Sequence, residues 1–254
     1  MKIVMLCSEC FSTTVIHNAV NSRFPIDQVI TETPMRGMAL ARRRLKKLGW
    51  FRTGGQILFS VLLVPFIRRS AAKRMEAIKA QYRFDETPIP SQKITAVNSV
   101  NEEACIRLLQ ELKPDLVIVN GTRIISRKVL ESTDAVFINM HTGITPKYRG
   151  VHGGYWAMVN KDEAHCGVTI HFVDKGIDTG GVIYQGLIPV TAADNYYTYP
   201  YLQFGEGISL MLQAVDDVVH NRAVARPALT TESALWYHPT IWQYLYTRIF
   251  KGIK

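Results

Sequence analysis

The sequence predicts an α/β protein: a mostly parallel sheet with helices on both faces, a helical basic insertion and a short C-terminal appendage. Three observations lead there. Strand-like and helix-like stretches alternate through residues 2–139, which implies βαβ units and a sheet covered on both sides. Residues 116–119 are apolar without polar alternation, as in a strand buried on both faces. The positive charge is local: residues 33–75 hold 11 of the 30 Lys and Arg and none of the 21 Asp and Glu. Basicity confined to one segment belongs to an inserted element and speaks against a broad nucleic-acid-binding surface.

Taken in order, residues 2–7 read as the first strand and 12–21 as a helix opened by Ser/Thr capping residues. Residues 28–31 are a second strand. After the insertion, 93–97 read as a strand and 102–112 as a helix with Asn101 as its N-cap. The strand at 116–119 leads to a short helix at 125–130 and a strand at 134–140. Gly153 and Gly154 open a helix through 155–159. Residues 166–173 form a strand, and 168–173 pair with 182–190 as an antiparallel extension across an Asp-Gly turn. A helix at 201–221 carries Ile208, Met211, Leu212, Val215, Val218 and Val219 at helical spacing. The tail holds Trp236, Tyr237, Trp242, Tyr244, Tyr246 and Phe250, a load expected to pack on the core or a second subunit. The implied division is a core domain at 1–192, with the insertion at 36–84, and a C-terminal helix and tail at 193–254. A chain of 254 residues, 47% hydrophobic and 20% charged, suits one large domain with a small appendage.

Within the insertion, Met38, Ala41, Leu45 and Leu48 follow 3-4-3 spacing, the pattern of an amphipathic helix with a basic opposite face. Residues 56–67 are apolar nearly all round and are closed by Arg68 and Arg69. Arg52 and Pro65 interrupt any longer span, which argues against a transmembrane helix. Two readings stay open: a helical insertion packed on the domain, which is the expectation, or peripheral contact with an anionic membrane.

The chemistry points to Asn139 and His141, in the run INMHTGITPKYRG, and to the later run VTIHFVDKGIDTGG. Side chains at i and i+2 of a strand share a face, so Asn139 and His141 converge. They fall at the carboxyl end of a strand, where such sheets place their sites. The second run ends in a turn with Asp174, Lys175, Gly176 and Asp178. An amide, an imidazole and a carboxylate brought together can polarise a carbonyl and move protons. Each residue alone has a structural alternative: Asn139 as a turn cap, His141 as a satisfied histidine, Asp178 as a turn residue. His171 either supports the site or packs. Cys7 and Cys10 form a C-x-x-C run, read as a first βα turn with two incidental cysteines.

The patterns N-x-H-x-G-x-x-P-x-Y-R-G and H-F-V-D-x-G-x-D-x-G-G resemble the formyltransferase family that uses 10-formyltetrahydrofolate. A third run, DLVIVNGTRIIS, is similar to that family's strand and loop against the folate. The resemblance covers residues 90–190. It implies the formyltransferase fold, a Rossmann-like sheet, with Asn139, His141 and Asp178 as the catalytic trio. It also implies a 10-formyltetrahydrofolate donor whose ring lies between two loops. One loop is Gly121, Thr122, Arg123, Ile124 and Ile125; the other holds Val173 and Asp174. Tyr148 and Arg149 are expected on the acceptor, and no metal is required.

Acceptor identity is read from departures. Ser8-Glu9-Cys10 puts a carboxylate where glycinamide ribonucleotide transformylases carry a phosphate loop. The stretch after the last predicted strand is shorter than the C-terminal domain of methionyl-tRNA formyltransferases. Thr142 and Gly143 replace the family's usual proline and serine. By elimination the expected acceptor is an amino sugar, nucleotide- or lipid-linked, in polysaccharide assembly. The alternatives are a 10-formyltetrahydrofolate hydrolase or a folate-binding scaffold that has lost catalysis. The expected partner is a small-molecule amine, not nucleic acid; a homodimer stays open. With a strand-like opening rather than a signal-peptide pattern, and four cysteines without dense pairing, the expectation is a cytoplasmic protein, peripheral at the inner membrane face if the insertion touches lipid.

Overall fold

The computed structural model describes residues 1–34 and 37–254; Arg36, at the start of the expected insertion, lies outside them. The chain begins with β1 (Ile3–Ser8), α1 (Phe11–Asn21) and β2 (Gln28–Glu32). The insertion follows as α2 (Gly37–Leu58), a π-helical turn (Phe59–Leu63) and α3 (Val64–Tyr82). Next come β3 (Ile94–Val97), α4 (Glu103–Leu112), β4 (Leu116–Asn120), α5 (Arg127–Leu130) and β5 (Val136–His141). Then follow β6 (Arg149–Gly150), α6 (Gly153–Val159), β7 (Gly167–Phe172) and β8 (Val182–Leu187). The chain closes with α7 (Tyr199–Val219), β9 (Leu235–Trp236) and α8 (Ile241–Phe250).

Seven strands form one sheet in the order β3-β2-β1-β4-β5-β7-β8, and β6 pairs separately with β9. The first five run parallel, β7 is antiparallel to β5, and β8 is antiparallel to β7. The period of two sorts β1 cleanly. Ile3, Met5 and Cys7 enter a core under α1 and α7, while Val4 and Leu6 enter a core under α4. Because Met211, Ala214, Val215 and Val218 of α7 share the first core with the sheet, residues 193–254 are continuous with the body of the domain. Asn101 caps no helix; it ties two loops, donating to the Ile124 carbonyl and accepting from Ser126 N–H.

The insertion is packed on one side only. Gly49 (φ 78°) breaks α2, and beyond it Gly55 lets the ring of Trp242 approach so closely that a Cβ would meet it at 2.3 Å. Phe59 enters an aromatic core with Tyr155, Tyr196 and Tyr244. Arg74 grips the buried Asp194 with two bonds of 2.8 and 3.0 Å. The other side faces outward, with Trp50, Val61 and Phe66 exposed. The insertion expected to pack on the domain does so on one side. Its 3-4-3 stripe is corrected too: Met38 and Leu45 are exposed, because the helix turns Leu40, Arg43, Arg44, Lys47 and Leu48 toward a cleft instead. The run Gly37–Tyr82 is long and apolar enough to cross a membrane by length and composition, although part of it is committed to the core. The tail divides likewise. Trp236 stacks on Trp156 and Tyr148, and Tyr244 is buried, whereas Tyr246 and Phe250 are exposed.

Candidate active site

Asn139 and His141 stand on alternate positions at the end of β5, where the parallel part of the sheet gives way to β7. The antiparallel register sets Asn139 opposite His171 and His141 opposite Thr169. Asn139 Nδ2 lies 3.1 Å from His171 Nε2. His171 Nδ1 donates to the Phe172 carbonyl at 2.7 Å, which leaves Nε2 of the neutral ring as an acceptor. Burial, and then the nearby His141 ring, push His171 below the ordinary histidine value and favour that neutral form. One N–H of the Asn139 amide is thus fixed on His171, and the second is left for a ligand. Of the two readings of His171, support of the site is the one this geometry matches.

His141 is 6% exposed. Its Nε2 donates to the Tyr148 carbonyl at 2.8 Å, and its Nδ1 faces Asp178 Oδ2 at 3.4 Å. Asp178 adopts φ 51°, the left-handed region, and its Oδ2 accepts from Gly150 N–H at 2.9 Å. The turn before it is braced by Asp174, whose carboxylate accepts from Gly176 N–H and the Thr179 hydroxyl. Gly143 explains itself. A Cβ there would meet the Tyr148 carbonyl at 2.3 Å and His141 Nε2 at 2.8 Å, so the ring reaches that carbonyl only beside glycine.

These residues line one wall of a cleft of about 610 Å³. Gly121, Thr122, Arg123, Ile124 and Ile125, with Val173 and Asp174, line another wall. The Arg123 guanidinium pairs with Glu32 and donates to the carbonyls of Asn98 and Thr33, so it shapes its loop, while its Nε is buried with no partner. Tyr148 and Arg149 do not line the cleft, which corrects their expected place on the acceptor. The Tyr148 ring is fully buried and its hydroxyl donates to Asp162. Arg149 donates to the carbonyls of Pro146 and Ile177 and to Ser233, clamping the loop that holds Asp178.

The third wall was missed by sequence reasoning. It consists of Arg43, Arg44, Lys47 and Gln56 from α2, facing Tyr237 and His238. Gln56 donates from Nε2 to the His238 carbonyl at 2.7 Å, while its Oε1 is buried with no partner. An unpaired buried acceptor is costly, and Gln56 is also among the residues that line the cleft. Burial and then the Arg44 charge bring His238 down to about 4, which leaves this wall's cations, among the described residues, on α2. The basic run at 42–47 was a visible signal, but nothing in the sequence says which of its side chains turn inward.

An amide, an imidazole–carboxylate pair and a cleft at strand carboxyl ends make an arrangement that can polarise a carbonyl and move protons. The family model described as formyl transferase matches residues 68–203, more than half of the chain, and the chain belongs to that family. A methionyl-tRNA formyltransferase of Methylacidiphilum infernorum is 32% identical over 138 residues, 54% of this chain and 42% of that protein. The chain spans about half the length or less of such curated relatives. Among solved structures, phosphoribosylglycinamide formyltransferase from Streptococcus pneumoniae aligns with a TM-score of 0.54 and 22% identity over 86% of this chain and 99% of that one. An N-formyltransferase from Helicobacter canadensis, in complex with folinic acid and dTDP-3-aminofucose, aligns with a TM-score of 0.54 and 16% identity over 93% and 71%. At these identities the structural likeness speaks for the fold.

Proposed function

We propose that the chain transfers a formyl group from 10-formyltetrahydrofolate to the amine of an amino sugar that carries phosphate, nucleotide- or lipid-linked. The observation that carries this reading is the convergence of Asn139, His141 and Asp178 on one cleft. When bound, the folate supplies an activated formyl carbon. The residues that would hold it are Gly121, Thr122, Ile124, Ile125 and Val173, whose apolar and backbone wall suits a flat ring.

The free N–H of Asn139 donates to the formyl oxygen as negative charge builds there. His171 holds that amide in the donating orientation. The proton released by the attacking amine passes to His141 Nδ1, where the Asp178 carboxylate pairs with the imidazolium, and it returns to the folate nitrogen as the bond from that nitrogen to the formyl carbon breaks. Because His141 Nε2 is already engaged by the Tyr148 carbonyl, Asn139 is the principal oxygen donor, rather than an equal partner of the imidazole. Arg43, Arg44 and Lys47 supply the charge for an anionic acceptor, and Gln56 Oε1 an acceptor for a sugar hydroxyl. The dTDP-sugar bound by the Helicobacter canadensis relative supports this substrate class.

The test is a mass-spectrometric screen of nucleotide amino sugars and small amines for gain of a formyl group, alongside tetrahydrofolate release. Release without any amine would instead identify a hydrolase. Bound folate with no release would identify a scaffold.

A further inference from the structure

We propose that the outer face of the α2–α3 insertion, together with α8, docks the protein on an anionic lipid bilayer. The inference does not rest on the formyl-transfer reading. Among the described residues, 20 large hydrophobic side chains are exposed; nine belong to the insertion and five to α8, against six elsewhere. Trp50 is 77% exposed, Phe66 73% and Phe250 72%. The two sets meet where Phe51 of α2 stacks on Trp242 of α8 at 4.3 Å. Contiguous apolar exposure of this kind marks a contact surface.

Charge selects the occupant. Residues 33–75 contain no acid, and neither do residues 233–254. Arg42, Lys46, Arg68, Arg69 and Lys73 are exposed and bracket the exposed apolar residues 50–66 in sequence on α2 and α3. A second copy of this chain would set the same cations against themselves with no carboxylate to pair. An anionic headgroup layer meets both demands, taking the apolar side chains at the acyl boundary and the cations among the phosphates. A spanning helix is disfavoured by the opposite face, where Gln56, Phe59, Ile67 and Ala71 are buried in the protein and cannot also be wrapped in lipid. The helix therefore lies in the plane of the surface, with Arg43, Arg44 and Lys47 of the same insertion lining the cleft.

The experiment is co-sedimentation of the full chain with vesicles of phosphatidylglycerol and phosphatidylcholine, or of phosphatidylcholine alone, over a salt series. Binding should require phosphatidylglycerol and fade toward 1 M salt, as screening shortens from about 10 Å at 0.1 M to 3 Å at 1 M. Neutralising Arg42, Lys46, Arg68 and Arg69 to Gln should weaken partitioning by roughly 100-fold or more. Trp50→Ser/Val61→Ser/Phe66→Ser should abolish it with an unchanged circular dichroism spectrum. Three results would overturn the proposal. One is no vesicle binding by the unaltered chain. Another is binding indifferent to lipid charge and salt, which indicates an inserted helix. The third is a dimer in analytical ultracentrifugation that the triple serine variant dissociates, which assigns the face to a second copy.

Discussion

Arg74 holds the insertion to the body of the domain, and its removal makes a quantitative test of that anchorage. The Asp194 side chain is fully buried and accepts from Arg74 Nε and Nη2, from Thr191 N–H and hydroxyl, and from Thr198. Arg74→Gln deletes the one formal charge paired with that carboxylate among the described residues and leaves the threonine donors. Breaking a buried pair from one side costs about 3–5 kcal/mol. The retained donors and the partial exposure of Arg74 place this case at the lower end, about 3 kcal/mol. For a chain of this size that is a fall in Tm of roughly 6–12 °C. Burial alone would raise the Asp194 carboxyl, but the Arg74 guanidinium and Thr191 outweigh it and hold it below the ordinary value. A depressed folded value means the unfolded chain takes up the proton first as pH falls. The stabilisation is then complete above about pH 4 and is lost below it. The assay is urea unfolding followed by far-ultraviolet circular dichroism at pH 7, 5 and 3, on Arg74→Gln, Asp194→Asn and the double variant. The difference from the unaltered chain should hold from pH 7 to 5 and narrow at pH 3, and Asp194→Asn should cost less when Arg74 is already gone. A single Arg74→Gln variant melting within 2 °C of the parent, estimated against the same scale, would refute the anchoring argument.

Three further outcomes follow from the site. Asn139→Ala and Asp178→Ala should each lower turnover by roughly 100-fold or more without matching losses in Tm, and the pair should cost less than the product of the two. His171→Met should lower kcat by a similar factor with KM for the donor little changed, whereas His171→Gln, whose side-chain oxygen can accept from Asn139, should keep most of the activity; equal activities for the two variants would remove the orienting role. His238, lowered to about 4 by burial, must be charged in acid-unfolded chains first, so stability present above pH 6.5 should decline between 6.5 and 4. Allowing for its partial exposure, His238→Asn should recover on the order of 2 kcal/mol of that loss in urea titrations at pH 4.5.

What the sequence made legible depended on how local the physics was. The strands 2–7, 116–119 and 134–140 announce themselves because strands buried on both faces read as nearly continuous apolar runs, and each appears within a residue or two of its expected limits. Asn139 and His141 were readable because strand periodicity fixes their common face. Asp178 stood out as a carboxylate in the turn of the second run but drew its expected place in the trio from the family pattern, since a left-handed turn residue has no signature that separates a capping role from a catalytic one. Tyr148 and Arg149 misled because bonds from distant segments, at Asp162, Ile177 and Ser233, claim their side chains. α8 was read as an aromatic tail, though Thr240 and Gln243 form a capping box that signals its start.

The insertion was the least legible element, and the reason is instructive. A helical wheel assumes one apolar face against protein and one polar face against water. Here Arg43, Arg44 and Lys47 line a cleft within the protein while Trp50, Val61 and Phe66 are outermost. On the readings proposed above, both sides of the segment meet phosphate, one side in the acceptor and the other in the bilayer. An acidic residue on either side would then weaken one of the two contacts. That double constraint gives a physical reason for a run of 43 residues without a carboxylate in a chain that holds 21 elsewhere. It also orders the two proposals. A free nucleotide sugar needs only the inner cations, whereas a lipid-linked acceptor needs both sets. Loss of the outer cations should therefore leave kcat/KM on a water-soluble acceptor unchanged and lower it on one embedded in vesicles.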